Sequence, residues 1–500
     1  VNGGSNALLQ QGATPAFSGW GIMADYQSRY PGVVAVLRHI VRYCKAKGIS
    51  FLFETGQETP TTLLRVIEEL GYDNLGINMD TANLILYGKA NSADAITVFG
   101  KYVMDTHIKD GFYPTSTRAG GRQVQIGEGI ANIPAIIKRL HELGYEGYTT
   151  LGYYRMGRNC YTKEDVEKFR DAVVKHLVPV ADAIYRAQAT RLGKEYPLSF
   201  ADAALEFRSG NPKPVGDPAQ ILAMGDKFYA ELSPETDEFW KFMRRHEMLD
   251  VESKPGKAGG GYCSRIASMR SPFIFANFNG TSGDVEVVTH EAGHAFACWM
   301  NRKRIPMDYM WPSMEACEVH SMSMEFFAWP WAEGFFGADT KKFLYSHLAG
   351  ALTFIPYGTM VDHFQHEVYA RPDMTPAERH GVWKELLGIY MPWVKLDGEI
   401  PFYAEGEGWQ RQQHIYNSPF YYIDYCLAQT VALRFWAMIQ QDLPTAWAHY
   451  MAYTKEGGSK TFTDLLKHAG LDTPFDEACL RAVCEEANKW LGEFDLGGIV

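Results

Sequence analysis

None of the eight cysteines forms a CxxC pair, and no apolar stretch is long and clean enough to cross a bilayer. The greasiest segment, Tyr421 to Ile439, is interrupted by Asp424, Gln429 and Arg434. Basic charge is short as well: 48 Lys and Arg face 59 Asp and Glu, a net charge of -11. That balance excludes a dedicated nucleic-acid or anionic-membrane binder, because neutralising phosphates takes a basic surface. No internal repeat of about 20–50 residues and no low-complexity tract occurs. Scattered cysteines of this kind point to buried, reduced thiols and a cytoplasmic setting. The sequence opens on Val1 in a Gly/Ser/Gln-rich stretch without an apolar leader, and Val1 is not taken as the native start.

Apolar residues are plentiful, at 46%, with aromatics at 14%. A chain of 500 residues buries ample core without disulfide or metal staples and divides into about two to four domains. Two textures follow one another. Up to about residue 150, short apolar runs alternate with amphipathic segments. The runs Ile49–Glu54, Leu75–Asp80, Tyr102–Ile108 and Tyr148–Tyr153 read as strands. Thr61–Leu70 and Ile133–Leu143 read as helices, closed by Gly71 and Gly144. This alternation predicts a parallel sheet built from βαβ units. From about residue 155, helical periods dominate: Lys163–Thr190, Gln220–Leu232, Val285–Met300, Met314–Phe327, Pro376–Tyr390 and Tyr421–Gln440. Thr375 as cap and Pro376 at the first helical position mark one start.

The sharpest motif is His290-Glu291-Ala292-Gly293-His294 within the predicted helix Val285–Met300. Residues four apart share a helix face, so both imidazoles reach one ion, and Glu291 reaches a water beside it. The flanks, Val287-Val288 and Ala295-Phe296, read as buried, and two unpartnered buried histidines would be costly. A third ligand follows at Glu318, with Glu315 and Glu325 competing one or two turns away and His320 as a supporting group. Two His from one helix and a Glu from the next leave an open zinc position, as in a catalytic site. The bland alternative is an amphipathic helix with an acidic face.

Phe273–Phe278 is a short β-rich run just before the metal helix. As an exposed edge it could pair with an extended peptide; as an interior strand it could not. Gly256–Gly261 lacks a following Lys-Ser/Thr and is a loop or hairpin rather than a phosphate cradle. In the segment Gln413 to Tyr425, a His and several Tyr offer donors to an oxyanion, or else an aromatic core. His363 and His366 sit three apart, but no third ligand is evident.

Several of these segments together resemble the oligoendopeptidase F family of zinc peptidases, relatives of thimet oligopeptidase. They are Gly259-Gly260-Gly261-Tyr262-Cys263, Ser271 to Thr281, the HEAGH helix and the Glu318 segment. The likeness runs from about Leu151, through Gly152 to Tyr161, to about Leu491. By that resemblance His290, His294 and Glu318 hold one Zn2+ and Glu291 is the general base. It selects Glu318 over Glu315, because the family's ligand precedes a pattern met by Ser321 and Glu325. It assigns the oxyanion donors to His414, Tyr422 and Tyr425, with Tyr421 a near alternative, and implies short peptides as substrates.

The N-terminal part resembles the xylose isomerase-like sugar epimerase/isomerase barrels through Phe53-Glu54-Thr55-Gly56, Asn78 to Asn83, His107 to Asp110 and Gly127-Glu128-Gly129. Glu54, Asp80 and His107 stand at or near strand ends, where a TIM barrel keeps its chemistry. The resemblance makes them three of four divalent-metal ligands. The fourth falls near Gly152, which has no side chain to offer. Only about the last four βα units are represented, and the peptidase-like part lacks that family's N-terminal helical region. The expected fold is therefore a mainly α peptidase region with a small β edge, residues 151–500. An α/β fragment resembling half of a (β/α)8 barrel, residues 1–150, precedes it. Three functions follow as expectations: a zinc endopeptidase, a divalent-metal sugar isomerase or epimerase, or a catalytically impaired fusion of two fragments.

Overall fold

The structure, a computed structural model, describes residues 23–116, 120–124, 126–145, 149–151, 161–305, 307–396 and 400–499. The chain divides into two compact units, Val1–Arg155 and Met156–Val500.

In the first unit, strands β1 (Phe51–Glu54), β2 (Leu75–Asp80), β3 (Val103–Ile108) and β6 (Thr149–Leu151) form one parallel sheet in the order β1-β2-β3-β6. Every residue of β2 is buried, as in a parallel sheet covered on both faces. The helix Pro60–Leu70 starts where Thr59 accepts the amide of Thr62 and ends at Gly71, whose φ of 66° suits only glycine. Of the predicted strand Tyr148–Tyr153, residues 149–151 are a strand and Gly152 and Tyr153 lie outside the described residues.

A hairpin of β4 (Asp110–Phe112) and β5 (Arg122–Val124) carries the Gly127-Glu128-Gly129 turn. The Asp110 carboxylate accepts the amides of Gly111, Gly127, Gly129 and Ala131 at 2.9–3.0 Å. A Cβ on Gly129 would meet Asp110 Oδ1 at 2.1 Å, so this glycine serves a close approach of backbone to carboxylate.

The second unit is mainly helical. Helices Pro218–Leu232, Met314–Phe327, Pro376–Tyr390 and Tyr422–Gln441 lie where periodicity places them, within one or two residues. The Thr375 cap is a full capping box with Glu378. The predicted single helix from Lys163 is Lys163–Ala172 and Val178–Leu192, joined by a π-turn at Val173–Leu177. Pro179, which has no N–H to donate, follows that turn. A 31-residue helix, Thr340–Ala370, went unrecognised in the periodic pattern.

Strands occur here too: β7 (Leu198–Ser199) pairs in parallel with Val394–Lys395. Strands β8 (Leu249–Glu252), β9 (Tyr262–Ile266) and β10 (Ser271–Phe278) form a sheet in the order β8-β10-β9. β10 pairs with β8 in parallel and with β9 antiparallel. The run Phe273–Phe278 is therefore an interior strand, and the sheet's two edges are β8 and β9.

Candidate metal centre

Both imidazoles stand on one continuous helical run, Gly283–Glu286, a π-turn Val287–Glu291, and Ala292–Asn301. The wide turn falls on His290 and Glu291 themselves, as π-turns at functional sites often do. The third carboxylate comes from helix Met314–Phe327, which crosses the metal helix at Gly293. A Cβ there would meet His320 O and Ser321 Cα at 2.7 Å, so the absent side chain lets the two backbones approach.

The approach brings Glu318 Oε2 to 3.5 Å from His290 Nε2 and 3.3 Å from His294 Nε2. These three residues offer ligand atoms all within 4.8 Å of one another. Ser321 Oγ donates to Glu318 Oε2 at 3.1 Å and steadies the carboxylate. Glu315, also buried, is not in the cluster. Glu325 serves the far ring nitrogen: His290 Nδ1–H donates to Glu325 Oε1 at 2.6 Å. On the other side, His347 Nε2–H donates to Glu325 Oε2 at 2.6 Å, and Trp329 Nε1–H donates to His347 Nδ1 at 3.0 Å. The chain Trp329–His347–Glu325–His290 fixes each tautomer in turn and leaves His290 Nε2 facing Glu318. His347 escaped the sequence reading because it lies on the unrecognised helix.

Burial alone would lower the His290 pKa, but Glu318 and Glu325 outweigh it and raise it well above the ordinary value. Burial likewise opposes ionisation of Glu318, and the two imidazoles overcome it. The donor set concentrates negative charge around two imidazoles, and a divalent cation would satisfy it by replacing the imidazole proton. Two nitrogens and one oxygen, with a carboxylate behind one imidazole, fit zinc. His320 is not among the converging ligand atoms: its Nδ1 lies 3.3 Å from Cys317 O, its ring meets Tyr453, and burial, then the nearby His294, drops its pKa to about 3.

Glu291 is partly exposed beside the metal pair. Burial pushes the Cys263 thiol on β9 well above its usual range, and the helix Ala292–Asn301 that follows Glu291 packs against β9. His414 stands edge-on to Tyr422 and Tyr425, with ring centres at 5.0 and 5.9 Å. Tyr357 O–H donates to Gln412 Oε1, and Gln412 Nε2–H donates to His414 Nδ1 at 2.7 Å. That relay leaves His414 Nε2–H as the free donor. Burial raises the pKa of both Tyr421 and Tyr425, and the Glu318 charge adds to it in each. For Tyr422 the added causes are Tyr357, Cys426 and Tyr425 instead.

Among the described residues His363 and His366 gather no third ligand. They flank the buried ion pair of Arg170 with Asp362, at 2.6 Å, and His363 Nδ1 meets Tyr390 Oη at 3.1 Å.

In the first unit, Glu54, Asp80 and His107 form a second such group. His107 Nδ1 lies 3.6 Å from Glu54 Oε1 and 3.3 Å from Asp80 Oδ2. Lys109 Nζ, which the sequence reading passed over, stands 2.8 Å from the same Asp80 oxygen. Asn83 Nδ2 donates to Glu54 Oε1 at 3.4 Å and Thr55 O at 3.0 Å. Gly152 lies outside the described residues, as does the rest of the Gly152–Cys160 motif.

Comparison with known proteins gives two matches along the chain. Residues 236–485 match "Peptidase family M3", and residues 8–172 match "Xylose isomerase-like TIM barrel". Oligopeptidase PepF of Bacillus subtilis (strain 168) is 26% identical over 275 residues, covering 53% of this chain and 40% of that protein. The Oligoendopeptidase F homolog of Borreliella burgdorferi is 26% identical over 262 residues, covering 49% and 43%. The chain therefore spans less than half the length of these relatives. A solved structure of PZ peptidase A with an inhibitor is 46% identical, with a TM-score of 0.65, covering 73% of this chain and 65% of that one. Among the described residues no helix is long and apolar enough to cross a membrane.

Proposed function

The chain belongs to peptidase family M3, and on that premise we propose that it is a zinc-dependent endopeptidase acting on short peptides. The observation carrying this reading is the convergence of His290, His294 and Glu318 on one point. Zinc held by these residues would polarise the scissile carbonyl and acidify the attacking water.

The protein's own groups do the rest. Glu291 takes the proton of that water and passes it to the leaving amine. His414 Nε2–H and the phenols of Tyr425 and Tyr421 donate to the developing oxyanion, with Tyr422 supporting the His414 ring. Burial lowers the His414 pKa, so the ring is neutral near neutral pH and keeps the donor the relay gives it. The outer edge of β9 offers main-chain groups to an extended peptide beside Glu291. The free thiols Cys263, Cys298, Cys317 and Cys426, all raised by burial, suit a reducing cytoplasm.

The Glu54–Asp80–His107 cluster favours a subordinate reading: a remnant divalent-metal site of a sugar isomerase or epimerase, in a fragment assigned to residues 1–150 ahead of a peptidase region at 151–500.

The test is Glu291→Gln, which keeps size and hydrogen bonding but loses the base. It should retain zinc and lose peptide cleavage by about 10²–10⁴-fold. Near-normal turnover would exclude the mechanism.

A further inference from the structure

Behind the metal centre lies a cavity of about 320 Å³ whose wall includes Glu206, Ser282, Glu286, Glu325, His347 and Gln429. No lysine or arginine lines it among the described residues. Three of its carboxylates differ in how they are engaged. Glu325 is bonded through one oxygen to His290 and through the other to His347. Glu206 accepts the hydroxyl of Ser346. Glu286 accepts the Ser282 hydroxyl and has no lysine or arginine partner among the described residues; the His347 and His290 imidazoles favour its charged form. The Glu286 side chain is exposed, and partial desolvation of its carboxyl, with the charge on Glu325 behind it, raises its pKa.

A second polar group is also uncommitted. Gln429 is 8% exposed, on helix Tyr422–Gln441, and lines the cavity. Its amide makes no hydrogen bond to the described residues. A buried amide without a partner costs free energy unless a ligand or water supplies one. Phe343 and Phe354 complete the wall with apolar surface.

We propose that this cavity is a substrate subsite for a cationic group, an alkylammonium or guanidinium, with Glu286 as its counter-ion and Gln429 as its hydrogen-bond partner. The inference rests on the peptidase reading and specifies what that peptidase prefers. Apolar walls suit an aliphatic stem, and a carboxylate without a lysine or arginine partner suits the charge at its end. Glu286 precedes His290 by one helical turn, about 6 Å along the axis. An extended peptide advances about 3.3 Å per residue, so the group belongs to a residue about two from the scissile bond. The same chemistry comes from a Lys or Arg side chain or from a peptide's free amino terminus.

The experiment uses the zinc-loaded full chain and a series of internally quenched neutral peptides. A single lysine is moved through each position and compared with norleucine there, and free amino termini are compared with acetylated ones. Lysine at one position, or a free terminus at one distance, should raise kcat/KM by about tenfold or more, the size of one charge-assisted hydrogen bond. Glu286→Gln should bring that ratio near one while leaving the norleucine peptide within about twofold. Anisotropy of the same peptides on the Glu291→Gln protein separates this inference from the peptidase reading. If nothing is cleaved, the peptidase reading fails, while a lysine-over-norleucine binding preference abolished by Glu286→Gln still supports the subsite. Equal handling of lysine and norleucine everywhere and of both termini, or a preference that survives Glu286→Gln, overturns it.

Discussion

Replacing Gly293 by alanine adds one methyl at the crossing of the two helices that carry His290, His294 and Glu318. That Cβ would lie 2.7 Å from His320 O and Ser321 Cα and 3.0 Å from Met324 Cβ. Two of the three are backbone atoms, which cannot turn aside as a flexible side chain can. Ordinary contact begins at about 3.4 Å, so the helices must part by several tenths of an ångström. Overpacking of this kind costs about 1–3 kcal/mol. The functional cost is larger, because metal ligands tolerate shifts of only about 0.2 Å, and the movement carries Glu318 away from His290 and His294. Gly293→Ala should therefore weaken zinc by about tenfold or more and destabilise the chain by about 1–3 kcal/mol. Gly381→Ala is the control: a Cβ there meets nothing within 4 Å in helix Pro376–Tyr390, and the change should stabilise by about 0.5–1 kcal/mol. Denaturant titration with and without zinc, and competition with a chelator, measure both quantities. Unchanged zinc affinity and stability in Gly293→Ala would refute the close-approach argument.

Other variants probe the surroundings. Glu325→Leu removes the acceptor behind His290 and should weaken zinc about 10–100-fold by chelator competition, with unchanged affinity counting against the relay. Asp362→Ala leaves Arg170 buried and unpaired and should cost about 3–5 kcal/mol in urea unfolding; a loss below about 1 would show the pair to be dispensable. His320 is buried neutral, with its pKa lowered from 6.5 to about 3. The unfolded chain takes up that proton below about pH 6.5 and the folded chain does not, so this stability is full above that pH and is lost as pH falls toward about 3. In the metal-free protein, His320→Gln should flatten the fall in unfolding free energy between about pH 4 and 6.5 by up to about 1.4 kcal/mol per pH unit. Identical slopes would contradict the assignment.

The candidate metal-binding group was legible because its geometry is local. An i,i+4 pair fixes two imidazoles on one face, and Glu318 lies on the next helix in sequence. Choosing it over Glu315 and Glu325 took the family pattern, since three carboxylates on one helix look alike until the facing helix is placed. His347 was not legible. Its helix, Thr340–Ala370, is apolar over much of its circumference and contains Pro356, so the amphipathic period that marks a surface helix is weak. The interior position of Phe273–Phe278 depends on pairing with Leu249–Glu252 and Tyr262–Ile266, short strands whose periodicity is weak. Tyr421 and Tyr422 are neighbours on one aromatic segment, and sequence alone does not separate them; in the fold Tyr422 stands edge-on to His414 at 5.0 Å.

Zinc content per chain tests the central claim most directly. Metal analysis of the purified full chain should give one zinc, and the double variant His290→Ala/His294→Ala should give none. Asp80→Asn, in the Glu54–Asp80–His107 cluster, should leave that single equivalent in place. A full equivalent retained by the double histidine variant, or one lost on Asp80→Asn, would contradict the account.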